Sequence, residues 1–172
     1  MPRLVIVLPL SPLRTGDSFA VKEWPLHITV LPPFHTDADP AAVAAVIASV
    51  HVPAAPVTVT AAHDEMFGRR ENIPVTIIDD NEALTRLRRD LIEAVRPLAA
   101  VPDEPAFTGR EFRPHVTVKG ENRVHEGDRL TLTQIALVDM APRASADGRT
   151  VLCAHDFSAT TPVVTIQGAP VS

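Results

Sequence analysis

Two of the seven histidines, His27 and His115, are each followed by an aliphatic residue, a threonine and a valine. They lie in the segments 25–30 (PLHITV) and 114–119 (PHVTVK), about half a chain apart. In an extended strand, residues i and i+2 share a face. His27 and Thr29 therefore point one way, and Leu26, Ile28 and Val30 the other. His115, Thr117 and Lys119 share a face backed by Val116 and Val118. Such strands would floor a polar groove. Imidazole titrates near neutral pH, so it can take a proton from a nucleophile or give one to a departing oxygen. A threonine hydroxyl two residues along can donate to a non-bridging phosphate oxygen as charge builds there. Two such pairs around one phosphorus would support in-line transfer at a phosphodiester, a layout that requires no metal.

A single His-x-Thr is an ordinary half-buried β segment, because threonine is a good strand former. Two copies with matching flanks make catalysis by His27 and His115, with Thr29 and Thr117 on the phosphate, the stronger reading. Lys119 extends the face of His115; it either holds a phosphate or ends the strand in solvent. Arg110 and Arg113 border the second copy, so a phosphate-rich end of the groove is expected on that side. Trp24, Phe34, Phe67 and Phe112 are candidates to stack on a base. Phe67 and Phe112 lead among them, since most aromatics of so aromatic-poor a chain belong to its core. The other five histidines share no spacing. His63, with Asp64 and Glu65, has no HExxH or His-x-His companion, so no metal site and no cofactor is expected. No Walker loop, GxGxxG or nucleophile elbow supports ATP-dependent, dinucleotide or acyl-enzyme chemistry.

The elements that must position these residues are mostly strands. Residues 4–8 form a continuous aliphatic run ended by Pro9, and residues 11–23 read as a loop. The first motif strand is expected to stop at Pro32 and Pro33. Asp39 and Pro40 open a helix with an apolar face of Val43, Val46, Ile47 and Val50. Residues 57–61 and 73–78 alternate like strands, joined by a charged connection over 63–72. Asp79 and Glu82 have capping-box spacing before a second helix with Leu84, Leu87, Leu91 and Val95 on one face. Its wet side offers Glu82–Arg86 and Arg89–Glu93 pairs. Residues 102–113 read as a polar loop, 129–139 and 151–157 as strands, 142–148 as the loop between them, and 163–166 as a last short strand. Strands in adjacent runs beside two helices indicate an α+β fold with mainly antiparallel sheet.

Composition narrows the class. A chain of 172 residues suits one domain over 1–172,. The 17 prolines fall at element boundaries and so punctuate instead of disordering the chain,. A net charge of −5 with no basic run argues against a long duplex nucleic acid as partner, while an RNA end or a small nucleotide remains suitable,. The lone Cys153 precludes an internal disulfide and reads as a small buried hydrophobe. The N-terminal apolar run contains Pro9 and lacks a cleavage site, and no run approaches the ~20 residues of a membrane span. A cytoplasmic monomer without membrane attachment is expected.

These residues carry a family resemblance. His27-Ile-Thr29-Val30 and His115-Val-Thr117-Val118 are similar to the paired His-x-Thr-hydrophobic signatures of the 2H phosphoesterase superfamily. That group includes the 2′-5′ RNA ligases and RNA 2′,3′-cyclic phosphodiesterases. Residues 27–34 (HITVLPPF) and 112–118 (FRPHVTV) resemble one bacterial branch. The resemblance implies a bilobal, pseudo-two-fold α+β fold of two packed lobes, with both motifs facing a central groove. It also implies metal-independent chemistry on 2′,3′-cyclic phosphates or 2′-5′ linkages. One departure is that residues 11–23 lack the helix often found between the first strand and the first motif. Two other functions fit the same residues: hydrolysis of a signalling cyclic oligonucleotide, and a non-catalytic nucleotide-binding module.

Overall fold

The computed structural model describes residues 2–50, 52–109, 112–140 and 148–157. In chain order, β1 is Arg3–Pro9, β2 Ser18–Phe19, β3 His27–His35, β4 Val57–Phe67, β5 Ile73–Ile78, β6 His115–Thr117, β7 Arg129–Leu132, β8 Gln134–Asp139 and β9 Arg149–Asp156. The helices are α1 Pro40–Ser49, α2 Glu82–Val95 and the short α3 Pro105–Thr108. The fold is α+β. All nine strands join one sheet in the order β2-β9-β8-β1-β3-β6-β5-β4-β7, every neighbouring pair antiparallel. Both motif strands, β3 and β6, lie side by side at its centre.

Thr133 alone separates β7, which hydrogen-bonds along β4 at one edge of the sheet, from β8, which lies between β1 and β9 in the other half. So short a link requires the sheet to curl until its halves approach each other. The run 129–139, expected as one strand, is therefore two. A single extended segment cannot serve both halves.

The main core lies on the helix-covered face. Ile28 and Val30 of β3 and Val116 of β6 join Val43 and Ile47 of α1 and Leu84, Leu87, Leu91 and Val95 of α2 in one buried cluster. The aliphatic positions at helical spacing are thus what brace the motif strands from behind. Asp39 caps α1, its Oδ1 accepting from the Ala41 amide at 3.0 Å. For α2 the cap is Asn81 and not Asp79: Asn81 Oδ1 accepts from the Leu84 amide at 3.2 Å. The Asp79 amide is instead occupied by the Thr60 carbonyl at 2.9 Å. Glu82 pairs with Arg86 at 3.1 Å as expected, but Arg89 turns to Asp90 at 3.5 Å.

A second apolar cluster lies on the opposite face of the first half, where Val5 and Val7 of β1 meet Trp24, Val138, Met140 and Val151. That is why the 4–8 run is apolar without alternation: both of its faces are covered. Residues 11–23 hold only β2 and one 3₁₀ turn, Val21–Glu23. The buried Gln134 ties this loop down, exchanging two 2.9 Å hydrogen bonds with the Leu13 backbone.

Three other boundaries differ from those expected. β3 continues through Pro32 and Pro33 to His35, with two register shifts against β1 that accommodate the extra residues,. β4 continues through the charged segment to Phe67, because β5 pairs with it down to Phe67 opposite Ile73. The 102–113 loop contains α3, which starts at Pro105 and buries Ala106 and Phe107,. Cys153 is half-buried. The 163–166 strand and Arg110 lie outside the described residues, as does all of the 142–148 loop except Gly148.

Candidate active site

Ile28 of β3 is paired with Val116 of β6. The neighbours of that pair in an antiparallel register are His27 beside Thr117 and Thr29 beside His115, all on the face away from the helices. The four motif residues therefore form a two-by-two patch in which each histidine faces a threonine. Its flanks are matched as well. On one side Pro9 and Val7 of β1 stand opposite His27 and Thr29. On the other, Ile77 and Val75 of β5 stand opposite His115 and Thr117. A polar patch is thus framed by aliphatic side chains.

Both imidazoles are held in the same way. His27 Nδ1 lies 2.8 Å from the Pro25 carbonyl, and His115 Nδ1 lies 2.8 Å from the Arg113 carbonyl. A carbonyl can only accept, so each Nδ1 carries the proton and each neutral ring presents a bare Nε2. The proline before each motif belongs to this device: Pro25 supplies the carbonyl in the first copy, and Pro114 extends the chain after Arg113 in the second. Among the described residues, the hydroxyls of Thr29 and Thr117 make no hydrogen bond to protein, which leaves them available to a ligand.

The surroundings then diverge. His27 stacks on Trp24 with ring centroids 4.0 Å apart and planes inclined by 26°. Trp24 is buried, and its ring is flanked by Lys119 Nζ at 5.7 Å and the Arg149 guanidinium at 5.1 Å. Removal from water disfavours the imidazolium most, and the nearby charges of Lys119, His115 and Arg149 add to this. Together they outweigh the Pro25 carbonyl and push the pKa of His27 from 6.5 to about 4,. His27 is therefore neutral across the physiological range. His115 meets the edge of Phe67, ring centroids 4.7 Å apart, and lines an open cleft.

That cleft has a volume of about 450 Å³ and runs from Thr29 and His115 past Pro32 and Pro33 to Phe67, Phe112, Arg88 and Arg113. Phe67 and Phe112, the leading stacking candidates, both line it. Phe67 does so from the end of β4, not from a loop. Phe34 is fully buried in the main core, and Trp24 serves the site from within the second cluster. Lys119 lies beyond β6, in an isolated bridge with Asn122. Its ammonium does not stay beside the second motif but donates to the Trp24 carbonyl next to the first. Arg113 is paired with Glu65, Nη1 to Oε1 at 3.0 Å. Arg113, and after it His63, hold the Glu65 carboxyl down near 2.

Of the cations expected beside the second motif, Lys119 reaches the first motif instead, while Arg113 stays in the cleft with His115. Lys119 and Arg149 stand by the first motif, and Arg88 and Arg113 by the second. Arg88 and Arg149 were not legible as site residues, since neither is near a motif in sequence. Strand pairing carries Arg149 in from β9, and α2 carries Arg88. Among the described residues, no group of three or more His, Cys, Asp or Glu could hold a metal ion. Nor, among them, is any helix long and apolar enough to cross a membrane.

Comparison with known proteins bears on the fold and the family. No curated protein sequence matches the chain significantly. Solved structures do. Escherichia coli LigT complexed with 3′-AMP is 17% identical, with 90% of this chain and 97% of that one covered and a TM-score of 0.57. LigT complexed with NADP+ is 15% identical, with 91% and 98% covered and a TM-score of 0.59. TT0787 of Thermus thermophilus is 17% identical, with 91% and 98% covered and a TM-score of 0.60. At these identities the likeness is one of fold. The sequence profile of the 2′-5′ RNA ligase superfamily matches residues 6–142, most of the chain and both motifs. The chain belongs to the 2′-5′ RNA ligase superfamily, the 2H phosphoesterases.

Proposed function

We propose that this chain opens 2′,3′-cyclic phosphates, or cleaves and joins 2′-5′ linkages, in RNA ends or small nucleotides, using its own side chains and no metal. The observation that carries the reading is the shared orientation of His27 and His115: two Nδ1-protonated rings on one face, each with Nε2 directed away from its carbonyl anchor. The bound 3′-AMP and NADP+ of the LigT structures support a nucleotide-sized ligand.

In the hydrolytic direction a water oxygen bonds to phosphorus while the bond from phosphorus to a ribose oxygen breaks. His27 Nε2 takes the water proton, and a doubly protonated His115 gives its Nε2 proton to the departing oxygen. The roles follow from the surroundings. A proton donor must carry its charge before the reaction, and burial against Trp24 disfavours the charged form of His27. His27 is thus the base, and His115 the acid by elimination. Thr29 and Thr117 donate to the non-bridging oxygens, where negative charge accumulates. The spent pair, His27 protonated and His115 neutral, is reset by exchange with solvent.

Turnover of adenosine 2′,3′-cyclic phosphate in the presence of EDTA tests this directly. The wild-type chain is expected to yield a single monophosphate at an undiminished rate. Turnover abolished by EDTA and restored by a divalent cation would contradict the metal-independent mechanism. Tight binding with no turnover of cyclic phosphates or 2′-5′ oligonucleotides would mark a non-catalytic module.

A further inference from the structure

The cleft beside His115 contains a cation that the proposed chemistry does not use. Arg88 projects from α2 into the same cleft as Thr29 and His115. Its guanidinium stacks over Phe112 at 5.1 Å, and its Nη2 donates to the Gly109 carbonyl at 3.4 Å, a weak contact. Among the described residues, its Nε is buried with no hydrogen-bond partner. Among the described residues, no carboxylate pairs with it, and none lines the cleft. Arg113, the other arginine of the cleft, is bound to Glu65. A half-buried guanidinium that lacks an anion is costly to keep, and burial lowers its pKa,. Its planar donors suit a phosphate, which can accept two of them at once.

We infer that Arg88 holds a second phosphate of the substrate, beyond the one undergoing reaction at His27 and His115. This rests on the phosphodiesterase reading and names its substrate class: nucleotides that carry a further phosphate, either a terminal 5′-phosphate or the next internucleotide phosphate of an RNA end. The cleft has room for the unit between the two phosphates. Its volume of about 450 Å³ lies within the usual range for small-ligand sites,. Phe67, Phe112 and the Pro32–Pro33 wall offer apolar surface to a base or ribose in the same cleft as His115 and Arg88,. Among the described residues the lining holds no carboxylate, although the chain carries a net charge of −5.

Calorimetric binding of adenosine 3′-phosphate, adenosine 3′,5′-bisphosphate and a diadenylate ending in a 3′-phosphate tests the inference without requiring turnover. The wild-type chain should bind at least one of the two-phosphate ligands about tenfold or more tightly than the monophosphate. Preference for the bisphosphate assigns a terminal phosphate, and preference for the diadenylate an internucleotide one. Arg88→Ala should erase the preference and leave monophosphate binding within about twofold, while Arg88→Lys should keep part of it. Unaltered monophosphate binding also shows that the variant is folded. Equal wild-type affinity for all three ligands, or a preference that survives Arg88→Ala, would overturn the inference. A preference lost in Arg88→Ala from a chain that turns nothing over would support the phosphate site and contradict the hydrolytic reading instead.

Discussion

The two motifs match in sequence and in backbone setting, yet their histidines occupy different surroundings. Each ring is pinned through Nδ1 by the carbonyl two residues earlier, and each stands beside a threonine of the other strand. Around His27 the second apolar cluster closes in, with Trp24 stacked on the ring and two cations against the tryptophan. Around His115 there is one aromatic edge and then an open cleft. A repeated motif fixes where two groups point, and the residues packed over them decide which can carry charge. In the proposed reaction the two histidines need different charge states before proton transfer. Trp24 supplies the difference.

The largest effect should come from removing either ring. His27→Ala and His115→Ala are each expected to lower the rate of cyclic-phosphate opening by about 10²–10⁴. Either variant turning over at the wild-type rate would break the pairing. Next come the threonines, where Thr29→Ala and Thr117→Ala should each lower kcat on the order of 10², with little change in fold. A near-equal loss in the two would extend the match between the motifs to the phosphate oxygens. A loss in one alone would confine the symmetry to the backbone.

The pH dependence isolates the difference between the rings. The acid limb of kcat/KM should fall near pH 4, where His27 takes its proton in the free enzyme,. Trp24→Leu admits water to the ring and should move that limb upward, toward 6.5. The same shift bears on stability. Below pH 6.5 the unfolded chain binds a proton at this ring that the folded chain refuses until about pH 4. Stability therefore falls as pH drops through that window and levels off below it. The loss is on the order of 3 kcal/mol at most, and denaturant titrations at pH 7 and pH 4 should show it reduced in His27→Gln. The smallest effect is expected at Phe67, where truncation to alanine removes one stacking surface and should weaken substrate binding by about 1–3 kcal/mol.

Much of this was legible because local rules and the fold agree. The apolar positions of α2 at three- and four-residue spacing are the ones buried, and the period-2 pattern of both motifs places His and Thr on one face. Strand limits were harder to read. Residues 63–67 are too charged to suggest a strand, yet β5 supplies their partners, and Pro32 and Pro33 sit within β3 where register shifts absorb them. A charged residue on a strand's wet face and a proline at a bulge both resemble loop signals in one dimension. Arg88 and Arg149 reach the site through tertiary packing alone. The exposure of each histidine has the same origin, since it depends on how Trp24 and Phe67 pack against the two rings and not on either motif.

In the proposed reaction His27 removes a proton and His115 supplies one. The most direct test of these roles replaces the ribose leaving oxygen by 4-nitrophenolate, which departs without needing a proton, in a nucleoside 4-nitrophenyl phosphodiester. Single-turnover rates would be compared for the wild-type chain, His27→Ala and His115→Ala. His115→Ala should regain most of the wild-type rate on this ester while His27→Ala stays slow. Rescue of His27→Ala in place of His115→Ala would reverse the roles, and equal slowness of both variants would contradict a division of labour between the two rings.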